Sequence, residues 1–553
     1  MANLNIPVGI SDFSKIIRNG FYYIDKTGLI QDLLLRDKFE VLLFTRPRRF
    51  GKSLAMSMLA EFFDIRKDNS EIFEGLNISQ NRELCSVWMN QYPTLFLSFK
   101  EIDGRIFDNA YAKLKALISR IYIEHIYLLD SAEITEYEKS TFSRIADKTA
   151  SLEEVQNGLA FLMQLMMKYY HKPVILLLDE YDVPIAKAEA KGYYDQMMEV
   201  ISALLGSALK DNPFLCFAVI TGCLRITKES IFTGTNNFVV DTISDNRYNE
   251  YFGFTNVEVQ KLLKDTECEP YAEKIRTWYD GYRFGDLDIY CPWDVLNYIQ
   301  KLRSSGAVEP ENFWANTSDN AVIRSFLDRT DFDVTEKFET LLNGGCICES
   351  IVEDLTYNAL TSSEQNLWSL LYLTGYLTKT EENTGTQNIC LKIPNAEVRD
   401  IFQNSVVEWF NERSVKSDRH LLFQALWNAD TDKLSELLSD LLFNTISYHD
   451  YAESYYHAFL TGLFSSAGYI VESNYESGLG RPDLMIKDRK TRSVVIIEVK
   501  ISNSQEQLLQ DGQKALEQIE TMQYAQKTKQ DGFRNVICYG ISFFKKQCLV
   551  QIS

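Results

Sequence analysis

Val41-Leu-Leu-Phe-Thr45, running directly into Arg46-Pro-Arg-Arg-Phe50-Gly51-Lys52-Ser53 and then Leu54-Ala-Met-Ser-Met58-Leu59-Ala-Glu-Phe62-Phe63, decides how the first half of this chain folds. The opening five residues are an apolar run suited to a buried strand. Leu54, Met58, Leu59 and Phe62 recur at helical spacing, which predicts a helix over 52–63. A loop that joins strand to helix and ends in Gly-Lys-Ser is the setting of a phosphate-binding P-loop. The amides of Phe50, Gly51, Lys52 and Ser53 would open the helix, where unpaired N–H groups and the positive dipole end attract an anion. Lys52 would reach the β and γ phosphates, and Ser53 would bind Mg²⁺. The usual pattern has glycine where this chain has Arg46, with Pro47 constraining the path. A basic turn that merely caps a helix is the alternative reading.

A second apolar run, Val174-Ile-Leu-Leu-Leu178, ends in Asp179-Glu180, the Walker B pattern. Asp179 at a strand end can hold Mg²⁺ through water, and Glu180 can polarise an attacking water. A strand ending in an ordinary acidic turn is the competing account. A third run, Leu215 to Ile220, ends in Thr221-Gly222, with Thr221 placed as a polar sensor. Arg225 follows, either as a γ-phosphate contact or as a surface salt bridge. Strands separated by long helical patterns predict an α/β fold with a parallel sheet covered on both faces. Residues from about 250 to 440 read as mostly helical.

Near residue 450 the pattern changes. A helix is expected over 453–467, strands near 483–487, 493–499 and 535–541, and a helix at about 505–528, with the turn Ser477-Gly-Leu-Gly480 before the first strand. Asp483 starts one strand of a hairpin and Glu498 lies near the end of the returning strand, so the two carboxylates can meet. Period-two alternation puts Glu498 and Lys500 on one face and Val499 on the other. Paired carboxylate oxygens suit Mg²⁺ or Mn²⁺, and a neighbouring lysine can orient water and stabilise charge on a phosphorane-like centre. A structural ion network is the alternative. Glu453 reads equally as a third acid or as a helix N-terminal charge. Gln518 reads as a solvated helix-edge residue that can face the site, and His457 as a packing or surface residue.

The 553 residues suggest about three domains. A net charge of −20 excludes a uniformly basic nucleic-acid coat and confines any such contact to local Lys and Arg patches. The 10 cysteines form no CxxC pair, and reduced thiols in a cytoplasmic protein are expected. Met-Ala-Asn-Leu-Asn-Ile-Pro-Val lacks the pattern of a secretory signal, and no apolar run suits a membrane span.

With these residues in hand, the chain resembles the bacterial AAA-ATPase-like proteins fused to a PD-(D/E)xK nuclease-superfamily domain. The N-terminal likeness rests on Tyr23-Ile-Asp25-Lys26-Thr27, the stretch Arg46 to Ser53, Leu178-Asp-Glu-Tyr-Asp182, Thr221-Gly222, Trp278-Tyr-Asp-Gly-Tyr282 and Tyr290-Cys-Pro-Trp293. The C-terminal likeness rests on Tyr456-His-Ala-Phe459, Gly480-Arg-Pro-Asp483, Glu498-Val-Lys500 and Gln518-Ile519. Arg46 looks like the usual form in that family. The resemblance implies a P-loop NTPase domain over 1–250, a helical linking domain over 251–440 and a restriction-endonuclease-like α/β domain over 441–553. It further implies ATP and Mg²⁺ as cofactors, nucleic acid as partner of the C-terminal domain, and metal ligation by Asp483 and Glu498 with Lys500 catalytic. The expected function is an ATP-binding, ATP-hydrolysing protein with a Mg²⁺-dependent nuclease-type domain acting on DNA or RNA. The alternative is an ATP-dependent switch or binding module whose nuclease fold does not cut. No membrane partner is expected, and an oligomer is compatible with the sequence.

Overall fold

The computed structural model describes residues 4–36, 39–225, 238–306, 308–314, 335–355, 357, 360, 362–381, 388–414, 420–445, 453–465, 470–473, 482–488, 491–530 and 533–553. The chain divides into two compact units, one made of 1–314 with 348–397, the other of 315–347 with 398–553.

The first unit is built on β1 (Val41–Thr45), β2 (Thr94–Ser98), β3 (Val174–Asp179), β4 (Leu215–Gly222) and β5 (Phe238–Asp241), in the order β2-β3-β4-β1-β5. Every pairing is parallel. Strand alternation sorts the side chains into two cores, because successive residues point to opposite faces. Leu43, Leu176, Leu178 and Ile220 pack with the helices Phe107–Glu124, Gly158–Tyr170 and Tyr194–Leu209. Leu42, Phe44, Leu177 and Val219 pack on the opposite face with the helix Lys52–Phe63. A parallel sheet buried on both faces is the expected α/β arrangement.

The following region is largely helical, but two small three-stranded sheets interrupt it. One comprises β6 (Phe254–Thr255), β7 (Tyr282–Phe284) and β8 (Leu287–Tyr290), ordered β6-β8-β7; the other comprises β9 (Ile347–Ser350), β10 (Thr378–Lys379) and β11 (Asn388–Lys392), ordered β10-β11-β9. Gly281, in the turn before β7, has φ +93°, and a Cβ there would lie 2.0 Å from the Pro394 carbonyl oxygen, so only glycine fits. Cys348 and Cys390 form a disulfide between β9 and β11, which corrects the expectation of reduced thiols throughout. A sequence separation of 42 residues carries no pairing signal.

The second unit carries β12 (Ile470–Ser473), β13 (Leu484–Asp488), β14 (Ser493–Ile501), β15 (Asn535–Phe544) and β16 (Gln547–Ile552), in sequential order. Only β14 and β15 pair in parallel. A parallel neighbour demands a crossover, supplied here by the helices Leu508–Thr521 and Tyr524–Gln530. The helix Thr431–Thr445 lies against β16, where the hydroxyls of Ser435 and Ser439 accept from the amides of Val550 and Cys548 at 2.9 and 3.0 Å. Among the described residues no helix is long and apolar enough to cross a membrane.

Candidate functional site

The loop after β1 is held from several sides. The Arg46 amide donates to the Gly222 carbonyl at 3.1 Å, fixing the loop's start to the end of β4. Arg49 and Gly51 take left-handed conformations, φ +73° and +87°, and Gly51 caps the helix that opens at Lys52. The Lys52 ammonium spans the loop, donating to the carbonyls of Arg46 and Pro47 at 2.8 Å each. The buried Phe50 ring packs edge-on against Tyr282 at 4.9 Å, anchoring the turn to β7.

The carboxylate of Asp179 joins two other sequence-predicted positions. Ser53 Oγ donates to Asp179 Oδ2 at 2.7 Å and Thr221 Oγ1 donates to Asp179 Oδ1 at 2.5 Å. Because β4 lies between β1 and β3, residues far apart in sequence meet at the carboxyl end of adjacent strands. Glu180 follows at φ +53°, and burial, reinforced by neighbouring Asp179, pushes its carboxyl above the usual range. A cavity of about 370 Å³ is lined by Phe50 through Ser53 together with Glu180 and Lys100, and by Ile10, Tyr23, Trp293 and Leu296 as an apolar wall. Arg49 stacks over Trp293 at 4.8 Å, so the Tyr290-to-Trp293 segment, for which the sequence suggested no chemistry, borders this cavity. A larger cleft of about 860 Å³, lined by Asp179, shares Ser53 and Lys100 with this cavity.

Two basic positions serve other ends. Arg46, in the place of the usual glycine, points into the fold with no solvent exposure. Its guanidinium pairs with the Asp241 carboxylate, donates at 2.9 Å to the carbonyls of Thr45 and Asp241, and lies over the Phe252 ring at 5.1 Å. Arg225 pairs with Asp354 at 2.9 Å and lines neither cavity.

In the second unit, Leu484 on β13 faces Ile497 on β14, so Asp483, one residue outward, faces Glu498. Asp483 Oδ2 accepts the Val499 amide at 2.8 Å, and its carbonyl is 2.6 Å from His457 Nε2, which gives His457 a positioning contact. Glu498 Oε1 accepts from the Gln518 amide and lies 3.6 Å from Lys500 Nζ. Gln518 therefore faces the site rather than solvent. Glu498 Oε2 is buried with no hydrogen-bond partner among the described residues. The glycine-rich turn 477–480 and the Glu453 side chain lie outside the described residues.

Burial, and then the charge of Asp483, push the Glu498 carboxyl up to about 7, against the opposing pull of Lys500. A buried acceptor without a donor, beside a second carboxylate and at the end of a sheet, fits a divalent cation. Among the described residues no third acidic, histidine or cysteine ligand joins them. Because a raised pKa means the protonated form persists to higher pH, cation binding must displace that proton. Mn²⁺ affinity should therefore fall about tenfold per pH unit below 7 and level off above it. Calorimetric titration from pH 5.5 to 8.5 tests this; a flat profile would count against Glu498 as ligand.

Residues 7–232 match the family model described as a predicted AAA-ATPase, and residues 451–552 match that of the PD-(D/E)XK nuclease superfamily. A protein of Azotobacter chroococcum mcd 1, described as an uncharacterized protein in the vnfD 5′ region, is 26% identical over 548 residues, which span 96% of this chain and 95% of that one.

Proposed function

We propose that this chain, an AAA-ATPase-like domain joined to a PD-(D/E)XK nuclease superfamily domain, binds and hydrolyses ATP at its N-terminal site and cleaves nucleic acid at its C-terminal one. At the first site Lys52 contacts the β and γ phosphates, and the amides of Phe50 to Ser53 cradle them. Ser53 and Asp179 hold Mg²⁺, Thr221 fixes the Asp179 carboxylate, and Glu180 orients the attacking water. At the second site Asp483 and Glu498 hold the cation, and Lys500 orients water and offsets charge building on the scissile phosphate. Bound Mg²⁺ supplies charge neutralisation at the phosphates and a more acidic water. A cytoplasmic setting and a nucleic-acid partner belong to the same proposal.

One observation carries the hydrolytic half of this reading: a buried Glu498 oxygen with no hydrogen-bond partner among the described residues, across the sheet end from Asp483 and beside Lys500. An unpaired buried acceptor is costly, and a bound cation between the two carboxylates would offset that cost. The chain should cut at least one of single- or double-stranded DNA or RNA when Mg²⁺ is present and stop when it is chelated, with ATP altering the rate. Absence of cleavage on all four substrates, with Mg²⁺ or Mn²⁺ and with or without ATP, would overturn the nuclease assignment.

A further inference from the structure

We propose that Lys100 is a second lysine on the terminal phosphate of bound ATP, acting with Lys52 from the segment just after β2. The inference rests on the nucleotide reading of the first site and assigns a residue that no motif singled out.

Five cationic side chains line the nucleotide cavity: Lys26, Arg48, Arg49, Lys52 and Lys100. Four are engaged. Lys26 is held by the Glu258 carboxylate at 2.6 Å and by the Glu250 carbonyl. Arg48 bonds the Cys223 thiol and faces Asp182. Arg49 donates to the Phe313 carbonyl at 2.8 Å and stacks on Trp293, and Lys52 holds its two loop carbonyls. Among the described residues, only the Lys100 ammonium in this set has neither an ion-pair nor a hydrogen-bond partner.

Its position is fixed by the sheet. Ser98, the last residue of β2, is level with Asp179 on β3, and the Phe99 amide donates to the Asp179 carbonyl at 3.0 Å. Lys100 is the next residue, and its charge acts on the Glu180 carboxyl. It lines both the 370 Å³ cavity and the 860 Å³ cleft, which also share Ser53. A terminal phosphate extending past Ser53 reaches this junction first. Arg225, three residues past the end of β4, is committed to Asp354 at 2.9 Å. An exposed lysine with no ion-pair partner among the described residues can follow charge as it shifts to the γ oxygens during transfer to water, which is where preorganised cations act most strongly.

The test compares full-length wild type with Lys100→Ala and Lys100→Arg. Lys100→Ala should lower single-turnover ATP hydrolysis by about 10²-fold or more. It should weaken ATP binding while leaving ADP binding unchanged, since ADP lacks the phosphate concerned. Lys100→Arg should recover most of both losses, and thermal melting should match in all three. ATP hydrolysis and the ATP-to-ADP affinity ratio unchanged in Lys100→Ala would overturn the inference and leave the nucleotide site standing. A wild type that binds neither nucleotide would remove both.

Discussion

Asp483→Ala and Lys500→Ala should each abolish Mg²⁺-dependent cleavage, with losses of at least about 10²–10³-fold, the range for removing one preorganised electrostatic contact. The two fail for different reasons. Asp483 supplies one of the two carboxylates that would hold the cation, and its side chain also accepts the Val499 amide at 2.8 Å. Asp483→Asn keeps an acceptor for that amide while removing the charge, so it separates metal binding from strand closure. Lys500, a quarter exposed beside a buried carboxylate, is free to reach substrate as well as Glu498. Its loss should spare cation affinity and reduce turnover. Gel-based cleavage assays, paired with Mn²⁺ titration and melting curves, distinguish these outcomes. Cleavage that survives in both alanine variants would end the nuclease assignment whatever the fold.

Arg46→Gly, which restores the residue usual at the start of such loops, should destabilise the first unit by about 3–5 kcal/mol, the typical result of removing one partner of a buried ion pair. Arg46 has no exposed surface, and Asp241 at the end of β5 would be left charged and buried without its guanidinium. Burial already pulls the Asp241 carboxyl upward against Arg46's pull, so the aspartate depends on its partner to stay ionised. Arg46→Met with Asp241→Leu should recover much of the loss, because an apolar pair of similar volume avoids the desolvation of both charges. Chemical denaturation followed by near-ultraviolet circular dichroism reads this directly. A midpoint equal to wild type in Arg46→Gly would show that the pair is not the anchor between the loop and β5.

The strands legible in the sequence were those buried on both sides. β1, β3 and β4 are unbroken apolar runs because they occupy the middle of a parallel sheet. β2 and β5 sit at its edges and carry weaker signals: Phe96 interrupts β2 with an exposed aromatic, and β5 has four residues, three of them half-buried. The same holds for β12 and β16 at the edges of the C-terminal sheet, and for the two small sheets, whose strands span two to five residues. At the sites, Ser53, Asp179 and Thr221 were readable because each closes or opens an apolar element. The approach of Asp483 to Glu498 was readable from the hairpin, and the shared face of Glu498 and Lys500 from alternation. Gln518 was not, since a helix-edge glutamine looks the same whether it meets water or a carboxylate. The reach of Arg46 into β5 spans 195 residues, beyond any local pattern.

The chain passes between its two units three times, after residues 314, 347 and 397. Truncation is therefore a poor way to isolate either unit. A fragment beginning near 441 discards the helices Thr335–Leu342 and His420–Trp427 and the first turns of Thr431–Thr445, along with the hydroxyls of Ser435 and Ser439 that meet β16. Producing the nuclease-type half alone calls for a chain in which 315–347 is linked directly to 398–553. The complementary ATPase-type half needs 348–397 attached after 314, so that β9, β10 and β11 travel with the parallel sheet of β1 to β5.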